Sequence, residues 1–274
     1  MKKEKGVFFG IVLLILSGCA PSNENSIKEN EWIHNGKTEY TAHRGAHTIA
    51  PENTVLATEE AAKHGYTAVE MDVRETKDKH FVLMHDDNIN VTTTGSGNVE
   101  EMTLDQVEKV NLKTENYPKL SNETIKIPTF EQEIKAIAKT DMGVNMDGSK
   151  GNWNENYYVD SVVSTLKKYD VYDRTFFVLS DKPTRDKFME KYPDAIVTWL
   201  HSPDTKTSNE IEELQKYPNA IFSVRADQVT NSMLVLMKSF DIPVHIYGVN
   251  TQTNYDFYKS MNVRFLETDT VVPA

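Results

Sequence analysis

From about residue 39 to residue 267, segments that read as strands alternate with segments that read as helices. No other feature limits the fold as much. Strand candidates lie at 39–43, 66–73, 80–85, 143–147, 175–180, 195–200, 219–224, 243–249 and 262–267. Helical patterns fill most of the intervals, at 54–64, 103–112, 129–139, 156–169, 183–191, 208–216, 230–240 and 252–261. Repeated βα units of this size imply a parallel sheet. Over this length they favour a closed (β/α)8 barrel over an open doubly wound sheet. The expected class is therefore α/β, an imperfect TIM barrel. Nine candidates compete for eight positions, so one is expected to be a side hairpin or no strand at all. The link from Asp72 to Phe81 is also too short for a crossover helix, so the irregularity should fall at the second and third strands. Residues 86–128 form the longest excursion and are expected to be a small insertion over the barrel mouth.

The N-terminus reads as a targeting segment. Lys2, Lys3 and Lys5 precede an apolar run from Val7 to Leu16, closed by Ser17-Gly18-Cys19. The run is short for a membrane span and fits the core of a signal peptide. Leu16-Ser17-Gly18-Cys19 resembles a bacterial lipobox. On that reading residues 1–18 are a lipoprotein signal peptide and Cys19 is the lipidated new N-terminus, holding the protein to the outside of the bacterial cell membrane. Cys19 is the only cysteine, so no intrachain disulfide can form. Residues 19–36 are polar and read as a flexible tether, followed by one domain over 37–274. The formal net charge is -11, and residues 1–18 carry +2 of it, leaving about -13. That balance argues against a nucleic-acid partner but leaves room for an anionic substrate beside a cation. Oligomeric state stays open.

Two polar clusters each follow an apolar strand-like run. One is His43-Arg44-Gly45 with Pro51-Glu52-Asn53-Thr54; the other is Glu70-Met71-Asp72 with His85-Asp86. Metal-assisted cleavage of a phosphodiester needs these side chains. Histidines move protons, carboxylates hold a divalent cation, and an arginine grips phosphate oxygens. Glu70 and Asp72 are two apart on a strand and so share one face, with Val69, Met71 and Val73 on the other. Oxygen ligands without cysteine favour Ca2+ or Mg2+. There is no Gly-x-Ser-x-Gly elbow and no phosphate loop, and Asp147-Gly148-Ser149-Lys150-Gly151 lacks EF-hand spacing.

These clusters, together with Thr76-x-Asp78, the Thr/Gly run at 92–97, Ile127-Pro128-Thr129-Phe130-Glu131 and Thr268-Asp269, occur in the order of the glycerophosphodiester phosphodiesterase family. The resemblance spans residues 40 to 271. It implies a TIM barrel of the phosphatidylinositol-phospholipase-C-like type, one divalent cation, and His43 and His85 sharing the acid and base roles. It implies Arg44 on the phosphate, with Glu52 in support. At the fourth strand the family usually shows Glu-x-Lys. Here Asp147 takes the glutamate position as third metal ligand, and Lys150, the candidate phosphate contact, comes one residue late. Tyr247 stands where the family often has tryptophan, against the glycerol or head group. His47, His64, His80, His201 and His245 are read as structural or exposed. The implied reaction is hydrolysis of glycerophosphodiesters such as glycerophosphocholine, glycerophosphoethanolamine or glycerol-phosphate polymers to glycerol phosphate and an alcohol. The rival readings are a phospholipase C or D acting on lysolipids or inositol lipids, and a degenerate ligand-binding barrel.

Overall fold

The computed structural model describes residues 27–121 and 123–273. Its strands are β1 (Glu39–Ala42), β2 (Ala68–Glu75), β3 (Phe81–Leu83), β4 (Gly143–Asp147), β5 (Thr175–Val178), β6 (Ile196–Leu200), β7 (Ala220–Arg225), β8 (Val244–Tyr247) and β9 (Phe265–Thr268). Its helices are α1 (Glu31–His34), α2 (Val55–Lys63), α3 (Leu104–Glu108), α4 (Phe130–Ile137), α5 (Asn156–Lys168), α6 (Lys182–Lys191), α7 (Thr207–Leu214), α8 (Asn231–Ser239) and α9 (Gln252–Ser260). Eight strands run parallel in the order β1-β9-β8-β7-β6-β5-β4-β2. Pairing of β1 with β2 (Thr41 opposite Ala68) closes the ring. The sheet is thus a closed TIM barrel, and an open sheet is excluded.

β3 is the ninth strand. It pairs antiparallel with the end of β2, Val73 opposite Leu83 and Glu75 opposite Phe81. The five residues between them can make only a hairpin, which explains the irregularity without breaking the barrel. Residues beyond β3 form a lobe with its own small core, including Met84, Ile89, Val99, Val107 and Leu112. Tyr117 donates to the His47 carbonyl at 2.9 Å and so ties this lobe to the loop after β1.

Helix starts follow local chemistry. Thr54 caps α2 by accepting from Ala57 N, and Thr129 with Gln132 forms a capping box at α4. The outward faces of the strands, including Val69, Met71 and Val73, pack under the helices. Inside the ring near its base, Ile33, Phe176, Ile196, Ile221 and Phe265 form a separate apolar plug.

That plug corrects the expected extent of the tether. Residues up to 36 read as a polar linker, yet Ile33 is only 1% exposed and α1 seals the barrel's base. Trp32 lies so close to Gly143 that a Cβ there would sit 2.2 Å from its ring. Arg264 donates to the carbonyls of Trp32, Ile33 and Lys37 and pairs with Glu39. Two apolar side chains thus fold a short polar stretch by long-range burial, which no local pattern signals. Residues 1–18 and Cys19 lie outside the described residues.

One buried acid gives the fold a pH dependence. Glu133 on α4 is 1% exposed and accepts a hydrogen bond from Thr58 on α2, with Oε2 unpartnered. Burial pushes its pKa from 4.5 up to about 7. The folded state therefore binds the extra proton, and stability falls as pH rises from about 4.5 to about 7, by at most about 3 kcal/mol. Urea unfolding of Glu133→Gln across pH 5–8 should show that share of the pH dependence removed. A curve parallel to that of the parent would contradict the assignment.

Candidate active site

The register between β2 and β4 builds the centre of the site. Asp72 faces Asp147 and Glu70 faces Asn145 across the two strands. Equivalent positions on neighbouring parallel strands leave the barrel at the same height, so both acids emerge together at the C-terminal rim. Glu70, Asp72 and Asp147 offer ligand atoms that all lie within 4.8 Å of one another. Glu70 and Asp72 are buried, and Asp72 Oδ1 has no hydrogen-bond partner. Burial first, then the neighbouring charges of Asp72, Glu267 and Asp147, raise the Glu70 pKa well above 4.5. Burial and Asp147 raise that of Asp72 as well, against the hydrogen bond from Asn53. A hard divalent cation would relieve both the repulsion and the unpartnered oxygen, so this all-oxygen donor set is compatible with one.

The loop after β1 is shaped to serve these acids. Arg44 adopts φ +54°, uncommon for a side-chain-bearing residue. There its backbone N–H donates to Glu70 Oε2 at 2.9 Å. Its side chain reaches Glu52 Oε1 at 3.1 Å and lies 3.6 Å from Asp72 Oδ2. Gly45 has φ +81°, and a Cβ would sit 2.7 Å from the Ala57 Cβ, so only glycine lets this loop lie against α2. Asn53, also at φ +54°, clamps Asp72 from both sides, accepting from its backbone N–H and donating to Oδ2 at 2.8 Å.

Both histidines stand beside this centre, each held by an aspartate on Nδ1. His43 Nδ1 lies 2.5 Å from Asp269 Oδ1, with Nε2 3.8 Å from Glu70. His85 Nδ1 lies 2.8 Å from Asp86 Oδ1, and its carbonyl is gripped by Arg74. An aspartate on Nδ1 fixes the tautomer and leaves Nε2 for proton transfer. Desolvation acts to lower the His43 pKa, but the Asp269 hydrogen bond and the charge of Glu267 leave it raised above 6.5. The His43 bond in turn holds Asp269 far below the usual carboxylate range. Asp269 and Asp86 stood in the motifs but carried no assigned role. His47, read as structural, accompanies this group, with Nε2 3.8 Å from Asp269 Oδ1.

A cavity of about 240 Å³ opens between the strand ends, lined by His43, Glu70 and Asp147 on one side. Asn145, Ser223, His245, Tyr247 and Glu267 line the rest, with Val178 and Leu200. Tyr247 therefore sits at the cavity, half-buried. Lys150 is not among the lining residues. Asp147 accepts from Ser149 N and Oγ, and the Lys150 carbonyl accepts from Trp153 Nε1. His245, read as structural or exposed, is buried and lines the cavity. Its neighbour Glu267 carried no reading, because no local motif marks a pairing across β8 and β9.

Carboxylates, aspartate-held histidines and an arginine gathered at one end of a parallel barrel are the groups that cleavage of a phosphodiester calls on. The profile of the glycerophosphoryl diester phosphodiesterase family matches residues 43–272, and the chain belongs to that family. YhdW of Bacillus subtilis is 26% identical over 230 residues, covering 83% of this chain and 93% of that protein. A glycerophosphodiester phosphodiesterase of the same organism is 24% identical over 233 residues, covering 83% and 72%. Among solved structures, a phosphodiesterase from Oleispira antarctica in complex with its product sn-glycerol-3-phosphate aligns with a TM-score of 0.74. It shares 21% identity and covers 86% of this chain and 95% of that one.

If the aspartates orient the imidazoles, Asp269→Asn should lower kcat on a phosphodiester by about 10²-fold or more and leave KM nearly unchanged. Steady-state kinetics test this, and an unaltered kcat would remove Asp269 from the machinery.

Proposed function

We propose that this chain hydrolyses glycerophosphodiesters to glycerol phosphate and an alcohol, using one divalent cation, Ca2+ or Mg2+. The observation that carries the reading is the convergence of Glu70, Asp72 and Asp147 with His43, His85 and Arg44 at one end of the barrel. Glu70, Asp72 and Asp147 would hold the cation, which supplies Lewis-acid polarisation of the phosphate when bound. Arg44, steadied by Glu52, offers its guanidinium to a phosphate oxygen. One imidazole takes the proton of the attacking hydroxyl, from water or from the glycerol itself; on the glycerol route the cyclic phosphate so formed is then opened by water to give glycerol phosphate. The other protonates the departing alcohol, each through Nε2. Tyr247 presents its ring to the organic part of the substrate. A cavity of only about 240 Å³ favours a small, deacylated diester over a lysolipid.

We further propose an extracytoplasmic, lipid-anchored protein. Lys2, Lys3, Lys5, the apolar run and Leu16-Ser17-Gly18-Cys19 support that reading. The fold is compatible with it, because the chain enters at the base through α1, the end opposite the cavity. The anchor would then present the mouth away from the bilayer, toward soluble diesters or envelope glycerol-phosphate polymers.

His43→Ala and His85→Ala should each lower kcat on glycerophosphocholine by roughly 10²–10⁴-fold. Chelation should abolish turnover, and calcium or magnesium should restore it. Full activity in either variant, with the fold verified by circular dichroism, would defeat the assignment.

A further inference from the structure

The acids of β2 and β4 are not the only metal-ligating cluster at the rim. His43, His47 and Asp269 also bring three ligand atoms within 4.8 Å of one another. The two clusters differ in chemistry. The first is all oxygen and suits a hard cation, whereas two imidazoles with one carboxylate suit a transition ion such as zinc. His47 takes no part in the proton transfers or the cation binding described above.

The His47 ring is held ready for a ligand. Its Nδ1 lies 2.9 Å from the His43 carbonyl, which can only accept, so Nδ1 carries the ring proton. Nε2 of the neutral ring is then a bare lone pair, and it makes no hydrogen bond among the described residues. It faces Asp269 Oδ1 across 3.8 Å, acceptor against acceptor. A carbonyl on the remote ring nitrogen is the usual support of a metal-bound histidine. Tyr117, donating to the His47 carbonyl, fixes the backbone as well. Asp269 is steadied from behind, because Asn250 Nδ2 donates to Oδ2 at 2.6 Å and leaves Oδ1 turned to the imidazoles.

Tetrahedral zinc, with bonds of about 2.0–2.2 Å, spaces its ligand atoms roughly 3.3 Å apart. His47 Nε2 would close on Asp269 from 3.8 Å, and His43 Nδ1 would open from 2.5 Å. Each shift is below about 1 Å on those bond lengths. The side chains of His43, His47 and Asp269 are 28%, 24% and 33% exposed, so an ion can reach them from solvent. The cluster lies on the Nδ1 edge of His43, whereas Glu70 faces Nε2. Ions in the two clusters would therefore use opposite edges of one ring.

We propose that His43, His47 and Asp269 form a second metal site, which takes zinc and silences the enzyme by taking it. Zinc on Nδ1 displaces the proton that this nitrogen gives to Asp269. The neutral ring then carries its one proton on Nε2, where it cannot accept another from a hydroxyl. The silencing rests on the hydrolase reading, whereas the binding of zinc does not.

The test is calorimetric titration of zinc into the calcium-saturated full chain, into His47→Asn and into Asp72→Asn. The parent should bind one zinc per chain. His47→Asn, whose amide can still donate to the His43 carbonyl, should bind it about tenfold or more weakly. Asp72→Asn, which lacks an acid of the other cluster, should bind it as the parent does. In parallel, zinc added with saturating calcium should lower kcat on glycerophosphocholine by about 10²-fold or more in the parent, reversibly on chelation and return of calcium. His47→Asn should match the parent without zinc and need about tenfold or more zinc for the same inhibition. The site is overturned if the calcium-loaded parent binds no zinc, if folded His47→Asn binds it equally well, or if Asp72→Asn loses it. Zinc that binds through His47 and leaves kcat unchanged would overturn the silencing. Zinc binding without turnover of any diester would overturn the hydrolase reading, and the silencing with it, and leave the metal site standing.

Discussion

Like-charge crowding at the ends of β2 and β4 is the constraint around which the rest of the site is arranged. Three carboxylates with ligand atoms inside 4.8 Å repel one another by about 3 kcal/mol per pair at an effective dielectric near 20. Three such pairs sum to about 10 kcal/mol, which is comparable with the whole stability of a typical domain. The acids cannot all stay ionised there alone. They must take up protons, as the raised pKa values of Glu70 and Asp72 indicate, or share a cation. The surrounding contacts fix the acids in place rather than letting them swing apart. Arg44 holds Glu70 through a left-handed backbone, and Asn53 grips Asp72 from two directions.

The barrel separates this tension from its own stability. The apolar plug of Ile33, Phe176, Ile196, Ile221 and Phe265 closes one end, and the helices cover the outward strand faces. The polar groups collect at the other end, in layers of increasing charge. Asn145, Ser223 and His245 lie deep, and Asp147 and Asp269 lie at the rim, less buried. His43 and His85 are each paired through Nδ1 with an aspartate that holds the ring's orientation.

Much of this was legible in the sequence because it is local or periodic. Strand and helix spacing led to the barrel, the short Asp72–Phe81 link to the β2–β3 hairpin, and the alternation of Glu70 and Asp72 to a shared face. What escaped depends on partners far along the chain. The α1 plug needs Gly143, Phe265 and Arg264 to bury Trp32 and Ile33, and the polar residues around them look like a linker. His245 carries no motif of its own, and its meaning comes from Glu267 on the next strand and Ser223 on the previous one. Asn53 stood in a motif, but its hold on Asp72 depends on a strand nineteen residues further along the chain.

The most direct test of this account is calorimetric titration of calcium and magnesium into the purified, chelator-treated protein and into Asp72→Asn. The account expects one saturable site per chain in the parent and loss of that site in the folded variant. Absence of saturable binding, or binding untouched by the substitution, would contradict it.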